Sequence, residues 1–384
     1  MTTATEALLR ELVAFDTISR TSNLALIEYV EAYLQEQGVA SRRVPANASR
    51  VNLYATIGAD NEPGVMLAGH TDVVPVTGQN WTSDPFTLVE RDSLLYGRGA
   101  ADMKGFIAAV LAAVPEFAAR RLHMPVHLAF TYDEEIGCVG VRDLLAEMAQ
   151  MPVRPRWGVV GEPTSMQPMT AHKGKVAYRV HVTGLACHSR NPDAGANAIG
   201  AAAELIGYIR AIAEQLRRDG PHDPAYEYPS SSLHVGRIEG GTALNIVPAA
   251  CWFEFEIRHL PEDDADALVA RIRNHAATQI EPALRAVNPG CGIAFEPLSA
   301  YPGLATPADA EPVREVAALL DDPTAGKIAF GTEGGLFHRD ADIPCVVCGP
   351  GSIAQAHQAD EYVSREQLAH CDDFLARLAA RLAA

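Results

Sequence analysis

The sequence has 384 residues, 48% of them apolar and 21% charged, with a formal net charge of −17. This composition predicts an ordinary soluble globular protein of about two domains. The negative charge argues against nucleic acid or an anionic membrane as a partner. No basic segment followed by an apolar core opens the chain, and no apolar run reaches the roughly 18 residues of a membrane span. Seven irregularly spaced cysteines fit a reducing compartment, so we expect a cytoplasmic protein.

Helical and extended patterns alternate over the first 174 residues. Helices are predicted at 5–14, 23–37, 103–119 and 138–149, and strands at 51–58, 64–70, 126–132 and 157–161. This alternation indicates an α/β fold with a mixed, mostly parallel sheet and flanking helices. In such sheets the functional residues gather beyond the carboxyl ends of the strands.

The pattern changes after about residue 174, where strands begin to alternate polar and apolar residues. Strands are predicted at 175–184, 231–241, 250–260 and 292–299, with helices at 195–218 and 262–286. Strand, helix, two strands, helix and strand follow the split βαβ order. We therefore predict an inserted α+β domain at 175–299, and a discontinuous catalytic domain formed by residues 1–174 and 300–384. Helices at 309–320 and 365–382 belong to the second part of the catalytic domain.

Six acidic and histidine side chains lie in Gly-rich or Pro-rich turns of the predicted catalytic domain. They are His70, Asp102, Glu134, Glu135, Glu162 and His357. Two imidazoles with three or four carboxylates are the ligand set of a two-zinc hydrolytic site. Each residue alone has an ordinary alternative: a core histidine, a helix N-cap at Asp102, a solvated turn carboxylate or a surface histidine.

Two of these motifs carry more detailed expectations. Asp72 lies two residues after His70 at a strand end, so both side chains can face one side of the sheet. The carboxylate of Asp72 would then accept a hydrogen bond from the ring nitrogen of His70 that faces away from the metal. Glu134 and Glu135 are adjacent carboxylates after an apolar strand, so one can bind metal while the other holds a proton for the reaction.

Together these motifs resemble the dinuclear zinc aminoacylase and carboxypeptidase family over nearly the whole chain. The segments that carry the resemblance are GHTDVVP, GRGAADMKG, YDEEIGC, GEPT, CHSRNPDAGANAI, GTALNIVP and AHQADEYV. The resemblance implies that Asp102 bridges two metal ions, with His70 and Glu162 completing one site and Glu135 and His357 the other. It also implies that Glu134 is the general base and that Asp72 contacts His70 on the side away from the metal. A cis peptide bond between Asp102 and Met103 is implied as well.

The resemblance further implies that the inserted domain forms a homodimer and closes over the active site as a lid. His188 would reach across from the partner subunit to polarise the scissile carbonyl group. Asn245 and Arg258 would hold the α-carboxylate of the substrate, although Arg258 has the alternative of a surface ion pair with Glu256 or Glu254. The GTEGG segment would bind substrate through Thr332 and Glu333, and it has Gly335 where a proline is more usual in the family.

The function implied by the resemblance is that of a metal-dependent amidohydrolase acting on a small-molecule N-acyl amino acid. The segments YDEEIGCVGVRDLL, GEPTSMQPMTAHKGK and GTEGG are most similar to members that release acetate from N2-acetyl-L-ornithine, a step towards arginine. Succinyl-diaminopimelate and a broader range of N-acyl amino acids remain alternative substrates. Zinc is the expected metal, with cobalt possible. A non-catalytic module binding metal or amino acids would keep Arg258 and Asn245 without needing Glu134.

Overall fold

The computed structural model of the protein describes residues 2–45, 48–321 and 324–383. Its α-helices are α1 (Ala4–Ala14), α2 (Leu24–Glu36), α3 (Lys104–Ala119), α4 (Val141–Met148), α5 (Ala198–Asp219), α6 (Ala265–His275), α7 (Glu281–Val287), α8 (Glu311–Leu320), α9 (Gly334–Ala341) and α10 (Arg365–Leu382). Its strands are β1 (Ser41–Val44), β2 (Asn52–Ile57), β3 (Val65–His70), β4 (Val89–Arg91), β5 (Leu94–Tyr96), β6 (Val126–Thr131), β7 (Trp157–Val160), β8 (Met169–His172), β9 (Gly174–Thr183), β10 (Ser232–Gly240), β11 (Ala250–His259), β12 (Gly292–Tyr301), β13 (Leu304–Ala305), β14 (Gly326–Ile328), β15 (Cys345–Val347) and β16 (Tyr362–Ser364).

The chain divides into two compact units. The first unit contains Met1–His172, Leu304–Ile328 and Thr332–Ala384, and the second contains Lys173–Gly303 and Ala329–Gly331. Each unit has its own core of buried apolar side chains, as expected of a domain. The predicted insert at 175–299 lies inside the second unit.

The main sheet of the first unit runs in the order β1-β2-β6-β3-β7-β15-β8-β13, with β14 also paired to β8. Its central strands β6, β3, β7 and β15 are parallel, whereas antiparallel pairs lie towards both edges. Strands β3, β6 and β7 are buried throughout, as strands covered on both faces should be, and α3 packs against β3. This confirms the predicted α/β fold with a mixed sheet whose centre is parallel.

The second unit contains a four-stranded antiparallel sheet in the order β10-β11-β9-β12. Along the chain, β9 is followed by α5, then β10 and β11, then α6 and α7, and finally β12. The helix predicted at 262–286 is helical from Ala265 to Val287, but a π-helical stretch at Ala276–Ile280 divides it into α6 and α7. Pro282, which has no N–H to donate, thereby falls in the first turn of α7, where no intrahelical donor is required.

Several elements had no clear signal in the sequence. Helix α9 begins with two glycines, which are poor helix formers, and strands β4, β5, β13 and β16 have only two or three residues each. Among the described residues no helix is long and apolar enough to cross a membrane.

Candidate active site

Three neighbouring parallel strands bring four of the predicted site residues to one edge of the main sheet. His70 is the last residue of β3, the pair Glu134 and Glu135 follows the end of β6, and Glu162 follows the end of β7. Because β6, β3 and β7 are adjacent and parallel, their carboxyl ends meet at this edge. The position of these four residues thus follows from the topology of the sheet.

Asp102 and His357 come from loops rather than from strand ends. Asp102 lies two residues before α3, and the N-cap position of that helix is occupied by Met103, so the alternative of Asp102 as the helix cap is wrong. The Asp102–Met103 peptide bond is cis, which confirms the expectation drawn from the family resemblance. His357 precedes β16 and has a left-handed backbone with φ of 60°.

The five predicted metal ligands form two groups that share Asp102. In the first group, Nε2 of His70 lies 3.0 Å from Oδ1 of Asp102 and 3.8 Å from Oε1 of Glu162. In the second group, Nε2 of His357 lies 3.1 Å from Oδ2 of Asp102 and 3.1 Å from Oε2 of Glu135. The candidate ligand atoms of each group all lie within 4.8 Å of one another. Imidazole nitrogens and carboxylate oxygens at this spacing fit divalent ions such as zinc.

Asp72 contacts His70 in a different way from the expected one. Nδ1 of His70 lies 2.9 Å from the main-chain oxygen of Asp72, whereas the carboxylate Oδ1 is 3.6 Å away. The carboxylate instead accepts hydrogen bonds from the main-chain N–H groups of Glu134, at 3.0 Å, and Glu135, at 3.3 Å. The Ser19 hydroxyl donates a third, at 2.7 Å. Asp72 therefore fixes the ring of His70 through its main chain and the Glu134–Glu135 turn through its side chain.

The carboxyl group of Glu134 is buried and lies beside the ligand groups without belonging to either of them. The Cys138 thiol donates a hydrogen bond to its Oε1 at 3.2 Å. Burial, opposed by His70 and reinforced by the negative charge of Glu135, raises the pKa of Glu134 to about 8. A carboxyl group with a pKa close to neutrality can both accept a proton and return it, as a general base and acid must.

Four of the five candidate ligands have raised pKa values and are protonated more readily than isolated side chains, whereas the two histidines hold the pKa of Asp102 well below its usual range. Burial, together with the negative charge of Asp102, raises the pKa of Glu135 to about 7. Hydrogen bonds to Asp102 and Glu135 raise the pKa of His357 to about 11. Because metal ions bind the deprotonated forms, a metal ion that binds these groups displaces protons from them.

The GTEGG segment lies in the first unit from Thr332 onwards, with both predicted substrate contacts buried. Oγ1 of Thr332 accepts a hydrogen bond from the N–H of Gly334 at 3.0 Å, and Thr131 donates one to Oε2 of Glu333 at 2.8 Å. Burial raises the pKa of Glu333 to about 8.

The N–H of Gly335 donates to Nε2 of His172 at 3.2 Å, a contact that a proline could not make. Substrate contacts of Thr332 and Glu333 stay predictions.

The remaining predicted residues belong to the second unit. His188 is exposed, and its Nδ1 accepts a hydrogen bond from the N–H of Arg190 at 3.1 Å. The next residue, Ser189, donates its N–H to the main-chain oxygen of Asn245 at 3.0 Å, so the segments that carry His188 and Asn245 lie side by side. Nε of Arg258 lies 2.9 Å from Oε1 of Glu256, which is the ion pair considered as the alternative for this residue.

Comparisons with known proteins identify relatives of this chain by sequence. A model of the peptidase family M20/M25/M40 matches residues 66–381. Acetylornithine deacetylase of Photorhabdus laumondii is 35% identical, over 93% of this chain and 91% of its own length. Acetylornithine deacetylase of Pasteurella multocida is 36% identical, over the same shares of the two chains.

Solved structures with low sequence identity share the fold. Aminopeptidase PepT from Bacillus cereus has a TM-score of 0.75 at 19% identity, covering 99% of this chain and 98% of its own. The Bacillus subtilis protein YXEP, described as a dinuclear metal-binding peptidase, has a TM-score of 0.68 at 18% identity, covering 98% and 97%.

Proposed function

The chain belongs to the peptidase family M20/M25/M40 and is therefore a hydrolase, and we propose that it releases acetate from N2-acetyl-L-ornithine. The observation that carries the proposal is the pair of ligand groups joined by Asp102 beside the buried carboxyl group of Glu134. Two metal positions beside one proton-transferring group can supply both the nucleophile and the proton transfer for hydrolysis of an amide. The choice of substrate is supported by the acetylornithine deacetylases that are 35–36% identical over 93% of the chain.

We further propose that two divalent ions bind at these groups. Asp102 would belong to both sites, with His70 and Glu162 completing one and Glu135 and His357 the other. Zinc suits this mixture of nitrogen and oxygen donors, and cobalt suits it as well. When bound, such ions lower the pKa of water to about 7, which makes a nucleophile available at neutral pH.

Residues of this chain would transfer the proton and orient the base. The carboxylate of Glu134 would accept a proton from the attacking water and deliver it to the nitrogen of the departing amine. The carboxylate of Asp72 accepts a hydrogen bond from the main-chain N–H of Glu134, and the Cys138 thiol donates one to Oε1 of Glu134. Both contacts restrict the orientation of the base. A base held in one orientation in this way needs less rearrangement to reach the attacking water.

We propose that residues of the second unit contribute to recognition of the substrate. Nδ1 of His188 accepts a hydrogen bond, so the proton of the neutral ring lies on Nε2, from which it can be donated to the scissile carbonyl oxygen. One such donor contributes roughly 3–4 kcal/mol to stabilising an oxyanion. Arg258, whose guanidinium group is held by Glu256 and Tyr301, would bind the α-carboxylate together with Asn245. We propose that the chain acts as a homodimer formed through this unit, with His188 serving the partner's site.

Metal content provides a first prediction. We expect fully loaded protein to contain two divalent ions per chain, because the two ligand groups share only Asp102. Elemental analysis after dialysis against zinc measures this ratio directly. Full activity with one ion per chain at saturation would contradict the proposed bridging role of Asp102.

The substrate itself is tested by a parallel assay. Purified protein loaded with zinc is offered N2-acetyl-L-ornithine, N-succinyl-L,L-diaminopimelate and N-acetyl-L-methionine at equal concentrations, and kcat/KM is measured for each. We expect the highest value for N2-acetyl-L-ornithine. A higher value for the succinyl compound would make the protein a desuccinylase, and similar values for the two acetyl compounds would make it a broader deacylase. Absence of hydrolysis with all three would contradict the proposed substrate class.

A further inference from the structure

A buried ion pair holds the main chain of the candidate bridging ligand. Arg98 and Glu361 are each 1% exposed, and Nη1 of Arg98 lies 2.6 Å from Oε2 of Glu361. The other carboxylate oxygen of Glu361 accepts hydrogen bonds from two consecutive main-chain N–H groups, those of Ala101 and Asp102, each at 3.0 Å. One carboxylate thus fixes the backbone from which the Asp102 side chain reaches both histidines.

The same arginine is connected to a second ligand through Gln79. Nη2 of Arg98 donates a hydrogen bond to Oε1 of Gln79, and Nε2 of Gln79 donates to the main-chain oxygen of His357 at 3.0 Å. Trp81 supports this arrangement, because its Nε1 donates to Oε1 of Gln79 at 3.1 Å and its ring centre lies 5.0 Å from the guanidinium carbon of Arg98. A continuous series of hydrogen bonds therefore joins the backbone of His357 to the backbone of Asp102.

This arrangement is not explained by stability alone. A buried ion pair contributes little to stability on average, because removing two charges from water offsets much of their mutual attraction. Here Glu361 accepts the main-chain N–H of Asp102, and Arg98 is connected to the main-chain oxygen of His357 through Gln79. The pair thus links two candidate ligands that are 255 residues apart in the sequence. Charge-assisted hydrogen bonds of this kind are stronger than those between neutral groups, so they can fix where both ligands lie.

We propose that Arg98, Glu361 and Gln79 are positioning residues that set the affinity of the second ligand group, Asp102, Glu135 and His357, for its metal ion. The inference rests on the proposed metal-dependent function and deepens it. In Glu361→Gln the side chain has one accepting oxygen instead of two, so either the N–H groups of Ala101 and Asp102 or the guanidinium group of Arg98 loses its acceptor. The substitution also leaves Arg98 without its buried counter-charge. The main chains of Asp102 and His357 are then no longer held at a fixed distance from each other. Substitution of residues that hydrogen-bond to metal ligands typically lowers metal affinity by about 10–100-fold, so we expect a loss of that size.

The test uses the full-length chain stripped of metal and titrated with zinc against a chromophoric chelator, which gives the two successive binding constants. Glu361→Gln is expected to weaken binding of one ion by about 10–100-fold and to change the visible spectrum of the cobalt-loaded protein. Glu6→Gln is the control, because Glu6 is also a buried carboxylate in an ion pair, at 2.9 Å with the partly exposed Arg365, and contacts no candidate ligand.

Loss of affinity in Glu361→Gln but not in Glu6→Gln, at similar losses of thermal stability, supports the inference. Both affinities of Glu361→Gln within twofold of wild type overturn it. Should Glu361→Gln fail to fold, Gln79→Leu decides, because it removes the contact with His357 and leaves the ion pair in place; an unchanged affinity in that variant also overturns the inference. Wild-type protein that binds no second ion contradicts the proposed function itself, so the two failures are distinguishable.

Discussion

Replacing Glu134 by glutamine is expected to lower the turnover of N2-acetyl-L-ornithine by about 10²–10⁴-fold while both metal ions stay bound. Glutamine has nearly the same shape as glutamate, but its amide cannot accept a proton from water or return one to the amine. Glu134 is absent from both ligand groups, so its loss leaves their five side chains unchanged. The main-chain N–H of residue 134 also remains available to Asp72.

Two measurements on the same preparation separate this role from a structural one. The kcat of Glu134→Gln is compared with that of wild type, and elemental analysis gives the metal content of each. Glu6→Gln serves as a control for substituting a buried carboxylate outside the site, and it should retain most of the activity. Near-normal turnover of Glu134→Gln with two ions bound would remove Glu134 from the mechanism.

The sequence alone was sufficient to predict the location of the site residues that lie at the ends of strands in the main sheet. His70, Glu135 and Glu162 come directly after apolar runs that are recognisable as buried strands, and adjacent parallel strands bring such residues to one edge. Asp102 and His357 lie in loops, where no periodic pattern fixes the side-chain direction. Their residue types and turns placed them in the candidate ligand set, but their assignment to particular metal positions came only from the family resemblance.

Contacts between distant segments were not predictable from the sequence. Glu361 and Arg98 are part of motifs that were recognised, yet no pattern shows that a carboxylate at 361 accepts the main-chain N–H at 102. The carboxylate of Asp72 was expected to hold the ring of His70 but holds the Glu134–Glu135 turn instead. Such choices among several possible partners depend on distances of a few tenths of an ångström, which residue spacing along the chain does not specify.

A second large effect is expected from combining two inactive variants. If His188 serves the site of the partner subunit, His188→Ala and Glu134→Gln should each be nearly inactive alone. The exposed ring of His188, with its proton on Nε2, is suited to donate to a carbonyl oxygen. Dimer formation through the second unit is supported by the edge strands β10 and β12, which carry exposed Ile238 and Leu298 and can pair with a twin across a two-fold axis.

Mixing the two variants under conditions of subunit exchange then restores activity without any intact chain. In a mixed dimer, one site combines Glu134 of one chain with His188 of the other, and the opposite site lacks both groups. Random exchange makes half of the dimers mixed, and each has one working site of two, so activity should recover to roughly a quarter of wild type. Exchange is verified with differently tagged chains that co-purify. Demonstrated exchange without recovery would mean that His188 acts within its own chain, since neither chain of a mixed dimer has both groups, or that it does not act at all.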